Sequence, residues 1–417
     1  MARFMIKKTV SRVFIIIISI AFLQILGTLI LARNLPKPEM GLLRLILTIV
    51  ELTSIISLMG IDYSFVRFFS SAGILFDKYN WKYFLKKFFL FSLSLILIIT
   101  SVFSLVYKFN LLISLSIIII LIMVTSIFIL ASFLRAKKNY TLAIFFSRLN
   151  FIIFFFLLFG LYIFKSLSLQ NALFCYVIAA ILANTVIMSY CLKNIPSGTS
   201  PIPLSVLKTG LYYFGMGASM LTILQTGPLF IAKILSYRDV AIFTVIASVM
   251  RLFEFIQDSS YYVLVPHLNT RANIPARKIF LIIASGAIIV ALIYILFGKT
   301  AIHLFFDGRY DEGIYLLPFF IGIGVIRTLY VLPASIIGGR CSEKVLRNQF
   351  YLSIAVAIFN IYLNYIFIHK WQLKGAALAS LISWSLIFII SVLGTARYMR
   401  NIRIPEKDNY ISPLSYE

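Results

Sequence analysis

Long apolar runs separated by short polar connections make up almost the whole chain. Each run holds about 18 to 25 residues, enough for an α-helix to cross about 30 Å of hydrocarbon at ~1.5 Å per residue. Helices are expected, because a lone strand cannot satisfy its backbone hydrogen bonds in lipid. The pattern therefore predicts twelve transmembrane helices, at 13–32, 42–64, 88–107, 111–134, 141–164, 170–192, 209–233, 240–264, 278–298, 313–337, 349–368 and 375–396.

Arginine and lysine are concentrated in alternate connections between these spans. Basic residues accumulate on the cytoplasmic side of membrane proteins, so the bias predicts that both termini are cytoplasmic and that the number of crossings is even. The first apolar run is too long for a signal-peptide core, which predicts a retained first span.

The two halves of the chain resemble each other. The segment "LILARNLPKPEMG" (29–41) lies over "LFIAKILSYRDVA" (229–241) at an offset of 200, and "LQNALFCYVIA" (169–179) resembles "LKGAALASLIS" (373–383) at an offset of 204. Six crossings return a chain to the side of the membrane where it started, so a second copy of a six-helix unit has the same orientation as the first. We predict an all-α integral membrane fold of two six-helix bundles related by pseudo-two-fold symmetry: residues 1–196, a cytoplasmic linker at 197–208, and residues 209–417 with a short cytoplasmic tail.

Composition agrees with a membrane protein and argues against several other classes. Hydrophobic residues make up 61% and charged residues 12%, whereas soluble domains are nearer half apolar and a quarter charged. The net charge of +24 lies in the short connections, so we expect the lipid bilayer, and no nucleic acid, as a partner. Three scattered cysteines, isolated histidines and the lack of a nucleophile or phosphate-loop motif predict no metal, no cofactor and no enzyme.

The stretch "MRLFEFIQDSS" (250–260) places charges inside a predicted span. On a helix, Arg251, Glu254 and Asp258 share one face. A charged side chain in mid-bilayer costs roughly 2.5–3.5 kcal/mol, so the stripe must face away from lipid. Span two repeats the theme with Arg44 and Glu51, and the repeat predicts that the two polar faces meet between the bundles.

Further polar residues in the C-terminal spans extend this predicted cavity: Gln225, Arg327, Asn360 and Asn364. Arginine donates two parallel hydrogen bonds to phosphate, so Arg44, Arg251 and Arg327 are candidates for binding an anionic substrate. An alternative stays open, in which the Arg251–Glu254 pair only holds helices together. Span seven contains several glycines and Pro228, which suit either bending or close helix packing.

Three segments carry a resemblance to a known family: "LARNLPKPEMGLLRLILTIVELTSIISLMGIDYSFVRFF" (31–69), "LFFDGRYDEGIYLLPFF" (304–320) and "NIYLNYIFIHKWQLKGAALASLISW" (360–384). They resemble Wzx-type polysaccharide flippases of the multidrug/oligosaccharidyl-lipid/polysaccharide exporter superfamily. The resemblance implies a MATE-like fold and a bacterial inner-membrane flippase. Its substrate would be an undecaprenyl-diphosphate-linked oligosaccharide repeat unit for O-antigen or capsule, moved to the periplasmic leaflet by alternating access.

The resemblance also bears on coupling and partners. It implies work alongside a polysaccharide polymerase and chain-length machinery, and coupling to H⁺ or Na⁺. Many relatives carry an acidic residue late in span seven, where this chain has "LQTGPLF" (224–230). That departure directs the search for a coupling residue to Glu51, Glu254 or Asp258.

Two rival functions are considered. A cation-coupled multidrug exporter of the same superfamily would need an acidic cavity for cationic drugs, which arginines disfavour. A membrane glycosyltransferase or polymerase would need a large outer loop, and the longest one predicted here spans only about 299–312.

Overall fold

Nearly the whole described chain is helical. The computed structural model describes residues 2–62, 64–65, 78–137, 139–193, 195, 198–202, 204–257, 260, 276–340 and 343–403. The helices are α1 Ala2–Asn34, α2 Lys37–Leu58, α3 Trp81–Tyr107, α4 Leu111–Ala136, α5 Tyr140–Ile163, α6 Leu169–Leu192, α7 Leu204–Ile234, α8 Tyr237–Ala247, α9 Ala276–Phe306, α10 Leu317–Arg340 and α11 Glu343–Arg403.

Twelve crossings follow from these helices, so the chain is a multi-pass membrane protein. Ten helical segments of the described chain are long and apolar enough to span a bilayer. The helical run from α8 to residue 257 is a further segment, and it is the repeat equivalent of α2. The segment 344–396 provides two of the crossings. Gln372 has φ 50° and ψ −128° and divides α11 into a first arm (343–371) and a second arm (373–403).

Span eight is not one regular helix. After Ala247, the chain forms a 3-10 turn at Ser248–Met250 and is α-helical again from Arg251 to residue 257. A 3-10 stretch inside a helix tightens the winding and redirects the residues that follow. Here it lies directly before the charged stripe.

Several helices extend beyond their predicted spans, because the prediction followed the apolar run and helices continue into polar segments. The predicted start of span two at 42 is wrong: α2 begins at Lys37, since Pro36 caps it and Pro38 lies in its first turn, where proline fits. The predicted outer loop at 299–312 is also wrong, because α9 continues to Phe306. The connection shortens to Asp307–Tyr310, followed by the 3-10 helix Asp311–Leu316.

The internal repeat is visible in the backbone. One connection follows α1 at residues 35–36, and its counterpart follows α7 at residues 235–236, which reproduces the offset of 200. At the crossing of α2 and α8, a Cβ on Gly41 would collide with the carbonyl oxygen of Tyr237 and approach the amide nitrogen of Ala241. Gly41 and Ala241 are equivalent under the same offset, so equivalent helices meet there.

The helices divide into two bundles as predicted. Helices α1 to α6 pack mainly among themselves, α7 packs against α11, and α10 packs against α9 and α11. Helix α2 makes the main contacts between the bundles, along α8 and α7. The exact domain limits at 196 and 208 stay predictions. The tail 404–417 and part of the linker 197–208 lie outside the described residues.

Candidate functional site: an arginine layer between the bundles

Charged side chains of both bundles meet near the middle of α2 and just beyond the 3-10 turn that follows α8. We define the arginine layer as Arg44, Arg148, Arg251 and Arg327 with the carboxylates Glu51 and Glu254. Arg44 interacts electrostatically with Arg251 and Glu51, and Glu51 also interacts with Glu254. The stripes on spans two and eight, predicted to meet between the bundles, are therefore brought together.

Glu254 is shared by two arginines. Its two oxygens lie 3.1 Å from Nη1 of Arg251 and 3.2 Å from Nη1 of Arg327. The Arg327 guanidinium also lies 5.2 Å from the ring centroid of Trp384, within cation–π range. Arg327 thus has an acidic partner on another helix, which its sequence neighbours did not reveal.

Arg44 is held by a hydroxyl. Its Nη2 donates to Oγ1 of Thr28 at 2.6 Å, and that hydroxyl donates to the carbonyl oxygen of Gln24 at 2.9 Å. Among the described residues, no carboxylate lies within 4 Å of Arg44, and its buried Nε has no hydrogen-bond partner. A buried charged donor in this state has unused hydrogen-bonding capacity.

Glu51 connects the two bundles. The amide Nε2 of Gln225 on α7 donates to Oε2 of Glu51 on α2 at 2.7 Å. Arg251 makes a second connection, to Oε1 of Gln24 on α1 at 3.4 Å. Glu51 is nevertheless an exposed residue, and the side chains of Arg251 and Glu254 remain 34% and 28% exposed. Space for water therefore reaches the layer between the bundles.

Three members of this environment were missed in the sequence. Arg148 on α5 interacts electrostatically with Glu51 and Glu254, and its guanidinium carbon lies 6.0 Å from the Phe151 ring centroid. It lies inside the predicted span 141–164, so its charge within an apolar run was the available signal. Gln24 and Thr28, four residues apart in span one, form a polar face by the same criterion.

Two predicted cavity residues lie elsewhere. Asn360 and Asn364 are fully buried inside the C-terminal bundle. Asn360 donates to the carbonyl oxygen of Ala379 at 3.3 Å and to Ser383 Oγ at 2.9 Å, and Asn364 donates to Oδ1 of Asn360 at 3.1 Å. These amides join the two arms of α11. Asp258, the third residue of the stripe, lies outside the described residues.

The described residues also bear on metal binding. Among them, no group of three His, Cys, Asp or Glu side chains is placed to hold a metal ion. Cys175 and Cys191 are free and buried.

One end of the molecule is closed by contacts between the bundles. This closed end contains the connections at 35–36, 108–110, 164–168, 235–236 and 307–316. Arg33 donates to the carbonyl oxygens of Leu304 and Phe305 at 2.7 and 2.6 Å and pairs with Asp307 at 3.0 Å. The last carbonyls of a helix lack internal partners and carry partial negative charge, so Arg33 caps the end of α9 from the other bundle.

An equivalent contact runs from the C-terminal bundle to the N-terminal bundle. Lys233, the repeat equivalent of Arg33, donates to the carbonyl oxygen of Val106 at the end of α3, at 3.1 Å. The hydroxyl of Tyr107 donates to the carbonyl oxygen of Leu229 at 2.9 Å, and that of Tyr310 to Ala32 at 3.3 Å. Each bundle thus caps a helix end of the other.

Further hydrogen bonds and ion pairs of basic side chains hold the same end closed. Arg309 donates to the carbonyl oxygens of Ala32, Arg33 and Leu35 at the end of α1. Glu312 accepts from Lys37 at 2.5 Å and from Arg238 at 2.6 Å. All of these contacts lie at a single end, so the bundles can separate there only if this set breaks together.

Comparison with solved structures identifies the fold. The chain is similar to an inward-facing multidrug-resistance MATE-family transporter of the MOP superfamily (TM-score 0.63, 14% identity, 93% of this chain and 98% of that chain). It is also similar to the lipid II flippase MurJ in an inward closed conformation (TM-score 0.66, 14% identity, 92% and 87%). A third likeness is to a MOP-superfamily transporter from Pyrococcus furiosus, described as having a binding pocket of reverse polarity (TM-score 0.54, 15% identity, 94% and 95%).

Sequence comparison gives no closer relative. No family model matches the chain, and no curated sequence does. The structural likenesses cover nearly the full length of the chain at low identity, so they establish that its all-helical fold is the fold of these transporters.

Proposed function

We propose that the chain is a flippase for undecaprenyl-diphosphate-linked oligosaccharide repeat units, which it moves from the cytoplasmic to the periplasmic leaflet of the bacterial inner membrane. The observation that carries the proposal is the state of Arg44 in the arginine layer. Among the described residues, no carboxylate lies within 4 Å of Arg44, and its buried Nε has no hydrogen-bond partner. An anion with phosphate oxygens would satisfy this donor.

A diphosphate that joins a lipid to a sugar is such an anion, because each of its two phosphate groups carries one negative charge. Arg44 supports this assignment, since its Nε has no partner and its guanidinium is held in place through Thr28. Guanidinium binds phosphate oxygens through two parallel hydrogen bonds, and these charge-assisted bonds are strong in a partly desolvated site.

Alternating access supplies the movement. The closed end corresponds to the periplasmic side under the charge bias, which places both termini in the cytoplasm. Loading would then occur from the cytoplasmic leaflet, with Arg33, Lys233 and Arg309 releasing their carbonyl partners when the closed end opens. Binding of the substrate must favour one state over the other to drive this change.

Coupling to H⁺ or Na⁺ would act through Glu51, Glu254 or Asp258. Glu51 fits this role best, because it joins the bundles through Gln225 and remains exposed. In the cell we expect a polysaccharide polymerase and chain-length machinery to use the product.

A cation-coupled multidrug exporter is the second candidate, favoured by the likeness to a multidrug-resistance MATE transporter. Arg44 opposes it, because a cationic drug would meet a guanidinium that has no acidic partner within 4 Å among the described residues.

Loss of surface polysaccharide in Arg44→Ala and Arg251→Ala variants tests the proposal. In each variant, the amount of surface polysaccharide should fall about tenfold or more, because the loss of one charge-assisted hydrogen bond weakens substrate binding by about this factor. The variant proteins should still insert into the membrane normally. Lys86→Ala, which removes an exposed charge from α3, is the matched control and should behave as wild type. Normal polymer from a well-expressed Arg44→Ala/Arg251→Ala double mutant would overturn the proposal.

A further inference from the structure

Two polar residues of α1, Gln24 and Thr28, face the arginine layer. They lie four residues apart, so their side chains project from the same side of the helix. Thr28 is buried, and its neighbour Gly27 faces Leu158 of α5, the helix against which α1 packs. Thr28 is therefore held rigidly within the N-terminal bundle, beside the layer.

The Thr28 hydroxyl meets Arg44 as an acceptor. A threonine hydroxyl has one proton to donate and two lone pairs. Its proton goes to the carbonyl oxygen of Gln24 at 2.9 Å, a common bond for threonine within a helix. Its oxygen receives Nη2 of Arg44 at 2.6 Å. The direction of this hydroxyl is thus fixed by the backbone of α1, and the hydroxyl in turn fixes Arg44.

A neutral acceptor holds an arginine without cancelling its charge. A carboxylate at the position of Thr28 would also hold Arg44, but the pair would have little net attraction for an anion. A hydroxyl leaves the full positive charge on the guanidinium. The buried Nε of Arg44, which has no hydrogen-bond partner among the described residues, stays available as a donor.

Glu51 is the carboxylate with which Arg44 would otherwise pair. The two residues lie seven positions apart on one face of α2 and interact electrostatically. Thr28 and Arg44 lie at similar distances along the chain from the connection at 35–36, whereas Glu51 lies about two turns further along α2. The bond to Thr28 therefore holds the guanidinium at the level nearer the closed end, away from Glu51.

We propose that Thr28 is a positioning residue of the phosphate-binding site, an inference that rests on the proposed function. Its hydroxyl holds Arg44 in place for a phosphate oxygen and keeps this arginine from pairing with Glu51. Holding the guanidinium in advance lowers the ordering cost of binding. Gln24 supports the arrangement, because its carbonyl fixes the Thr28 hydroxyl and its Oε1 accepts from Arg251 of the other bundle at 3.4 Å.

The test is a binding titration of the purified full-length protein in detergent with undecaprenyl diphosphate. Thr28→Val keeps the side-chain shape without the hydroxyl, and Thr28→Ala removes the same hydroxyl. Both should raise the Kd about tenfold, the size of one hydrogen bond to a charged group. Thr28→Ser keeps the hydroxyl and should bind within about threefold of the unaltered protein. Unchanged or tighter binding in Thr28→Val would overturn the proposal.

Thr185→Val is the matched control. The Thr185 hydroxyl donates to the carbonyl oxygen of Ile181 at 2.9 Å, the same backbone bond that Thr28 makes, and it lies on an exposed face of α6. This variant should bind undecaprenyl diphosphate as the unaltered protein does. An equal loss of affinity in Thr185→Val and Thr28→Val would show that the loss comes from the helix and would contradict the positioning role.

A second background separates positioning from a loss of structure. In a Glu51→Gln protein the competing carboxylate is gone, so adding Thr28→Val should weaken binding by less than about threefold. If Thr28 served only to stabilise helix packing, Thr28→Val would weaken binding equally in both backgrounds. That result would overturn the proposal.

Arg44→Ala separates failure of this inference from failure of the proposed function. If the proposed function is wrong, Arg44→Ala leaves the affinity for undecaprenyl diphosphate unchanged. If only the positioning role is wrong, Arg44→Ala weakens binding, and Thr28→Val either has no effect or weakens binding further in the Arg44→Ala background. The proposal expects Thr28→Val to have no effect once Arg44 has been removed.

Discussion

Glu254 illustrates how one side chain sets the charge of the whole layer. It neutralises part of two arginines at once, at 3.1 and 3.2 Å, so its removal would leave both guanidinium groups without this partner. Removing one member of a buried ion pair is destabilising, because the remaining charge keeps its desolvation cost. The same change would make the layer more attractive to an anion.

We therefore predict opposite effects of Glu254→Gln on stability and on binding. The melting temperature should fall, by an amount equivalent to roughly 1–3 kcal/mol, since the site is partly hydrated. Affinity for polyprenyl diphosphate should rise. Thermal unfolding in detergent and a binding titration check the two effects, and a variant that loses both stability and affinity would contradict this role of Glu254.

The planar guanidinium group of Arg327 is expected to matter for stability, beyond its charge. It bonds to Glu254 and lies over the ring of Trp384, and lysine reproduces the charge but not both contacts. We predict that Arg327→Lys lowers stability by about 1 kcal/mol, and that Trp384→Leu weakens this difference between arginine and lysine. A double-mutant cycle measured by thermal unfolding tests the coupling. Additive effects would exclude the stacking contribution.

A charge that interrupts a long apolar run was the signal for the residues that the structure brings together between the bundles. Arg44, Glu51, Arg251 and Glu254 were identified in this way, and Arg148 could have been; their role in binding stays a prediction. The partner of Arg327 could not, because Glu254 lies on another helix and its distance depends on packing. Asn360 and Asn364 show the opposite error: buried amides can satisfy each other inside one bundle, so a polar pair in a span need not face a cavity.

At the level of helices, the two connections at 35–36 and 235–236 explain the closed end. The helices before them carry Arg33 and Lys233 at equivalent positions, and each side chain caps a helix of the other bundle. The contribution of one exposed pair is small, about 0–1 kcal/mol, but the two contacts are far apart along the chain and break in the same movement.

We predict that the Arg33→Ala/Lys233→Ala double variant shifts the molecule toward a state opened at this end. Spin labels at Lys108, directly after α3, and at Lys370, near the end of the first arm of α11 in the other bundle, should report a population at longer distance by pulsed electron resonance. Each single variant should give a smaller shift. An unchanged distance distribution in the double variant would show that the caps do not hold this end closed.

Helix positions were predictable from hydropathy, whereas helix irregularities were not. The glycines and Pro228 of span seven suited either bending or close helix packing, and α7 runs unbroken from Leu204 to Ile234. The interruption lies in span eight, at Ser248–Met250, where the sequence carries neither glycine nor proline. Packing of α8 against α2 and α10, rather than local propensity, accompanies this turn.

For the whole molecule, duplication and charge bias predict both architecture and orientation. The repeat predicted two bundles of six helices, and the equivalent crossing at Gly41 and Ala241 agrees with it. The nature of the cargo has no comparable signature, because it depends on which charged side chains remain uncompensated after folding.

Orientation has a direct test. Under the positive-inside bias, Lys86→Cys should be labelled only from the cytoplasmic side and Lys108→Cys only from the periplasmic side. Both positions are exposed and near opposite ends of α3. Labelling of intact cells with a membrane-impermeant maleimide distinguishes them, and the reverse pattern would contradict the predicted topology.

The account as a whole depends on the sign of the charge that enters between the bundles. A binding titration of purified protein with undecaprenyl diphosphate, and separately with a lipophilic cation such as ethidium, measures that sign. We predict that the diphosphate binds, that Arg44→Ala and Arg251→Ala weaken it by about tenfold or more, and that the cation does not compete. Tight binding of the cation, strengthened when the arginines are removed, would contradict the account.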